Sequence, residues 1–189
     1  MGRAVTLELS GLGLQSSETA YLGVLHGKTA ALFGAASAIG ALTGGANAAQ
    51  RTAMQSKGEA FGSAFQLADD LLDLHGSEDE TGKPLGVDWF QRRATLPLIH
   101  ALRSATPADA KMITHLWQQD PFTVESLADL RGLVEENGGF KYGWQKVNEY
   151  RGQAGTYLED IPPGDGRLAL VHLIRDTFPL PVLPARELV

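Results

Sequence analysis

The chain has 189 residues, 43% of them apolar, a formal net charge of −6 and no cysteine. That length and apolar content are enough for one substantial core and predict a single domain across the whole chain. The acidic balance supplies no basic field for a nucleic-acid backbone, and without cysteine there are neither disulfides nor thiolate metal sites, a pattern compatible with the cytoplasm.

Strand signals are scarce, whereas helical periodicity, caps and breakers divide the chain into about eight helical pieces, which predicts an all-α bundle. A short piece at 2–10 is followed by a long one from Ser17 to the Gly44-Gly45 break, and then by a third over 46–75. The most apolar run, 30–50, is rich in Ala and Gly and contains Ser37, Thr43 and Asn47. It lacks the Leu, Ile and Phe density of a membrane span and reads as a closely packed interior helix. After the loop GSEDETGKPLGVD a helix is expected from near Gln91 through Thr95-Leu96-Pro97, with the proline at an early turn or a kink. Thr106-Pro107 marks another start, Asn137-Gly138-Gly139 closes a segment over 123–136, and further helices follow over 140–158 and 166–178.

Within the third helical piece, FQLADDLLD (65–73) places three aspartates in an apolar setting. On a helix turning about 100° per residue, Asp69 and Asp73 lie roughly 40° apart on one face, with Asp70 beside them. Carboxylates so close drive one another towards protonation unless a cation offsets the field. A hard divalent ion with oxygen ligands, above all Mg²⁺ shared with a substrate phosphate, is the economical partner; a solvated acidic face is the plain alternative. Phe61, Ala64, Phe65, Ala68, Leu71, Leu72 and Leu74 flank the aspartates, so the stripe is expected to open on an internal cavity. Lys28 interrupts a long uncharged stretch, Lys83 follows Gly82 in the loop, and Arg92 and Arg93 follow Asp88. Lys28 can snorkel to the surface, but taken with the aspartates these cations suit a metal-bound diphosphate.

HGKTAALFGAAS (26–37), GEAFGSAFQLADDLLDL (58–74), TGKPLGVDWFQRRATLPLIHAL (81–102) and YLEDIP (157–162) follow one another in the order found in trans-isoprenyl diphosphate synthases, or polyprenyl synthetases. The chain resembles that family over nearly its whole length. The resemblance implies an isoprenoid-synthase-type helical bundle, of which this chain corresponds to the C-terminal half, truncated at the N-terminal half. It also implies that Asp69, Asp70 and Asp73 hold Mg²⁺ on an allylic diphosphate. Lys28 and Thr29 would face that diphosphate, Lys83 would clamp it, and Phe65 and Gln66 would line the pocket. The implied reaction is prenyl transfer from an allylic diphosphate to isopentenyl diphosphate. Arg93 stands where the family commonly has lysine, in a pair usually Gly-Lys. The family's first D-D-x-x-D motif has no counterpart in this sequence, so the expected partners are a second copy, in a homodimer or higher oligomer, and a chain carrying that motif, in a heteromer. A non-catalytic partner of a full-length synthase is the alternative from another class. A terpene cyclase is disfavoured by the FQ before the aspartates and the GK loop after them.

Overall fold

The computed structural model describes residues 13–75, 85–158 and 161–177. The piece expected over 2–10, and Lys83 with most of its loop, lie outside the described residues.

Helix α1 (Glu18–Leu25) begins where the Ser17 side chain accepts the Ala20 N–H at 3.1 Å, with Glu18 favourably placed in the first turn. It runs without a break through a π-helical turn, His26–Ala30, into α2 (Ala31–Thr43), which ends at Gly44 and a left-handed Gly45 (φ 77°). The next start is a reciprocal cap: Asn47 Oδ1 accepts the Gln50 N–H at 2.9 Å while Gln50 Oε1 accepts the Asn47 N–H at 3.0 Å. It opens α3 (Ala48–His75), the central rod of the fold.

Beyond the loop come α4 (Val87–Phe90), α5 (Leu96–Ser104), α6 (Pro107–Gln118), α7 (Val124–Glu136), α8 (Gly139–Thr156) and α9 (Asp165–Asp176). Thr106 and Thr123 cap α6 and α7 through their side-chain oxygens. Pro97 stands in the first turn of α5, so the early-turn position, not a kink, is the one adopted. That helix begins at Leu96 instead of near Gln91. The reason is Arg92, whose φ of 59° is left-handed and cannot continue a right-handed helix. Its guanidinium donates to the Trp117 and Gln119 carbonyls, capping the C-terminal end of α6, and lies 4.9 Å from the Phe122 ring centre.

Two small-residue contacts bring the layers onto α3. A Cβ at Gly58 would stand 2.4 Å from the Phe33 carbonyl oxygen, and one at Gly62 would stand 2.8 Å from Ala30 Cα. Here α2 and the π turn touch the α3 backbone through Phe33 and Ala30. By length and composition alone the continuous stretch Glu18–Thr43 is a candidate membrane span. It packs on α3 along one side only: of the α2 residues just Gly34 is buried, so the segment expected to be an interior helix is a peripheral one. On the opposite flank α8 meets α3, where a Cβ at Gly143 would meet Leu71 Cδ2 at 2.7 Å. Leu67, Leu71, Leu74, Trp89, Leu96, Leu98, Leu130 and Val147 fill the core between these layers. The outer face of α2 is uncovered, with Leu32, Ile39 and Leu42 72%, 61% and 55% exposed.

Candidate active site

Asp69, Asp70 and Asp73 sit on the last turns of α3, where their surroundings separate them. Asp69 is exposed. Asp70 is buried, and both its oxygens are taken: Oδ2 accepts the Tyr21 hydroxyl, and Oδ1 accepts Gln66 Nε2 at 2.8 Å. Burial pushes its carboxyl up to about 7, opposed by the Tyr21 hydrogen bond and reinforced by the Asp88 charge. Asp73 is partly buried and receives the Val87 and Asp88 N–H groups at 3.2 and 3.1 Å, the free donors at the start of α4. Burial raises its carboxyl as well, and the Asp88 backbone bond works against that rise.

The π turn brings Lys28 and Thr29 to this cluster. Thr29 Oγ1 donates to Gln66 Oε1 at 2.7 Å, and the exposed Lys28 is close enough for its charge to favour the ionised form of Asp70. Helical π turns recur at functional positions because they redirect side chains within a continuous rod. Phe65 is 42% exposed, with its ring 5.8 Å from that of Phe33. Arg93 pairs with Asp88 at 3.1 Å, in a partly buried contact.

Of two further residues at the site, Tyr21 carries no signal in the sequence and Asp88 shows there only as a motif letter. Tyr21 is 49 positions from its partner Asp70, too far apart for any local pattern to connect them. Asp88 acts electrostatically on Tyr21, Asp70 and Asp73, making it a fourth carboxylate of the cluster; its position in GKPLGVD was the available signal. Among the described residues no three Asp, Glu or His side chains form a ready-made ion cage. The donors are all oxygens and one aspartate is open to solvent, a chemistry that fits Mg²⁺ arriving with its own waters and a second anion.

Residues 6–134 match the polyprenyl synthetase family. The chain belongs to this family. Polyprenyl synthetase relatives include the octaprenyl diphosphate synthase of Haemophilus influenzae, 31% identical over 84% of this chain and 48% of that protein. The geranylgeranyl diphosphate synthase of Mycobacterium tuberculosis is 34% identical over 82% of this chain and 44% of its own length. A polyprenyl synthase from Caulobacter crescentus, solved with calcium and isoprenyl diphosphate, superposes with a TM-score of 0.83 at 33% identity. That match covers 92% of this chain and 52% of the solved one, so this polyprenyl synthetase chain spans about half the length of its relatives. The all-α architecture of the isoprenoid synthase type is that of these structures.

Proposed function

We propose that this chain binds the diphosphate of an allylic isoprenoid substrate, with Mg²⁺, and takes part in prenyl transfer to isopentenyl diphosphate. The observation that carries the reading is the Thr29–Gln66 bond, which holds the Lys28-Thr29 turn beside the aspartate end of α3. A cation and a set of carboxylates are thereby presented from two helices, the arrangement a metal-bridged diphosphate needs.

In this reading Lys28 donates to a diphosphate oxygen, and Asp69 and Asp73 offer oxygens to Mg²⁺. Lys83, by the family resemblance, closes on the same anion. Phe65 and Phe33 present ring faces beside the site, where an allylic chain can lie shielded from water. The metal, when bound, supplies charge neutralisation for the departing group. The carbon–oxygen bond breaks with its electron pair on diphosphate, the isopentenyl double bond supplies the pair for the new carbon–carbon bond, and a proton is released. The experiment is calorimetry of Mg²⁺ binding with and without inorganic pyrophosphate. Binding that needs pyrophosphate, and weakens at least tenfold in Lys28→Ala and in Asp69→Asn, supports the reading; charge-assisted contacts of about 1.5 to 3 kcal/mol predict that size. Binding unchanged in both variants refutes it.

The apolar face of α2 favours a second reading beside the first. Leu32, Ile39 and Leu42 stand exposed on one helix, more than a solvated face needs. We propose that another helical layer covers them, from a second copy or from a chain carrying a first D-D-x-x-D motif. In that form the chain is either a catalytic half or a non-catalytic regulatory partner. Prenyl transfer assayed with and without a co-expressed full-length synthase separates the two: a rise that survives Asp69→Asn identifies the regulatory role.

A further inference from the structure

The family resemblance implies one set of three Mg²⁺ ligands, Asp69, Asp70 and Asp73, but here their surroundings divide them. Asp70 is 8% exposed, and each of its oxygens accepts a side-chain donor. Mg²⁺ keeps several waters when it binds carboxylates, so a ligand to it needs an open side. Asp70 has none, and any further layer of protein over this face could only bury it more. Asp69, by contrast, is exposed; Asp73 also has a donor on each oxygen, the Val87 and Asp88 N–H groups at 3.2 and 3.1 Å, but it is only partly buried and keeps a side open to solvent.

The donors on Asp70 come from different parts of the chain. Tyr21 reaches it from α1, Gln66 lies one turn before it on α3, and Gln66 in turn accepts the Thr29 hydroxyl from the π turn. Tyr21, Asp70, Gln66 and Thr29 therefore form one unbroken chain of hydrogen bonds. Its two ends, Tyr21 and Thr29, lie on either side of the α1–π junction, and its middle is rooted in α3. The segment with Lys28 between those ends is pinned at both.

From this geometry we infer that Asp70 is a positioning residue, not a metal ligand: with Tyr21 and Gln66 it forms a bracket that holds the Lys28-Thr29 turn at the aspartate face of α3. The inference rests on the proposed diphosphate site and deepens it. The chemistry of the bracket also predicts which replacement succeeds. In Asp70→Asn, the new amide oxygen accepts from Tyr21 and the new NH₂ donates to Gln66, once the Gln66 amide turns over. Gln66 then donates to Thr29 Oγ, which can accept. Every bond is restored. Asp70→Ala restores none, and Tyr21→Phe removes the link to α1 alone.

Two measurements on the whole chain test this. The first is Mg²⁺ titration in the presence of inorganic pyrophosphate. Asp70→Asn should bind within about threefold of wild type, whereas Asp69→Asn should fall at least tenfold. The second is amide hydrogen exchange over 26–30, which reports the turn with no metal present. Tyr21→Phe and Asp70→Ala should exchange at least tenfold faster there, while Asp70→Asn and Asp69→Asn should match wild type. Loss of Mg²⁺ binding in a folded Asp70→Asn equal to that in Asp69→Asn would overturn the inference. So would unchanged exchange in Tyr21→Phe, a variant that retains the ring and its packing. If Asp69→Asn has no effect on Mg²⁺, the diphosphate reading fails, and the exchange measurement still decides whether the bracket holds the turn.

Discussion

Replacing Gly62 by alanine should disturb the site without changing any group that touches a ligand. The added Cβ would stand 2.8 Å from Ala30 Cα and 3.0 Å from Phe33 Cδ2, against the 3.4 Å at which ordinary contact begins. The backbone of the π turn must then retreat by about 0.6 Å, because a Cα in a packed helix cannot swing aside as a side-chain tip can. Overpacking of this kind costs about 1–3 kcal/mol, and alanine returns about 1 kcal/mol of helix propensity. The net loss is roughly 0–2 kcal/mol, a fall in melting temperature of up to about 8 °C for a chain of this size. Lys28, two residues from Ala30, moves with the turn, so pyrophosphate binding with Mg²⁺ should weaken by about three- to tenfold. Thermal melting followed by calorimetry measures both effects. Gly132→Ala is the comparison: its Cβ would meet nothing within 4 Å, and it should stabilise by about 0.5–1 kcal/mol. A Gly62→Ala protein that melts no lower than wild type and binds pyrophosphate equally well would refute the coupling between close packing and the turn.

Lys57 is 4% exposed, has burial as the sole cause of its lowered pKa and lies 5.6 Å from the Phe61 ring centre. Lys57→Met should raise the melting temperature, since an apolar chain of similar reach removes the desolvation cost. Arg92→Gly should melt higher than Arg92→Ala, because both lose the cap on α6 but only glycine relieves the left-handed backbone, by about 1 kcal/mol. His100 stacks on Tyr142 at 3.9 Å, and burial lowers its pKa below 6.5. Between the lowered value and 6.5 the unfolded chain binds more protons, so this contribution to stability is complete above pH 6.5 and fades on acidification. Denaturant melts from pH 8 to 5 should show that loss, and His100→Gln should reduce it.

Local patterns carried much of this architecture. The i, i+4 spacing of Asp69 and Asp73 placed them on one face, and the Thr-Pro and Asn-Gly-Gly signals located helix ends to within a residue or two. What could not be read were the distant pairings. Nothing near Asp70 indicates that a tyrosine from another helix occupies one of its oxygens, so three aspartates in a row look alike until burial distinguishes them. Nothing in the sequence around Lys57 marks it as the buried cation it proves to be. Arg92 was legible only as a charge, whereas its backbone ends one helix and its guanidinium ends another. Asp88 was visible as a motif letter but not as the residue whose backbone and charge both act on Asp73.

The π turn at His26–Ala30 makes the rod from Glu18 to Thr43 one residue longer than a regular helix with the same ends would be. A single surplus residue is a phase shift of about 100° between everything upstream and everything downstream. Tyr21 belongs to the upstream phase, and the α2 face that meets Gly58 through Phe33 and Ser37 belongs to the downstream one. Deleting one residue within the turn, such as Gly27, would restore an ordinary helix and set these two azimuths in conflict: either the tyrosine or the Phe33 and Ser37 face could point at α3, but not both. The insertion thus works as a rotational joint. It lets one uninterrupted rod satisfy two docking requirements that no straight helix of this sequence could meet together, and an indel there would be far more damaging than most substitutions.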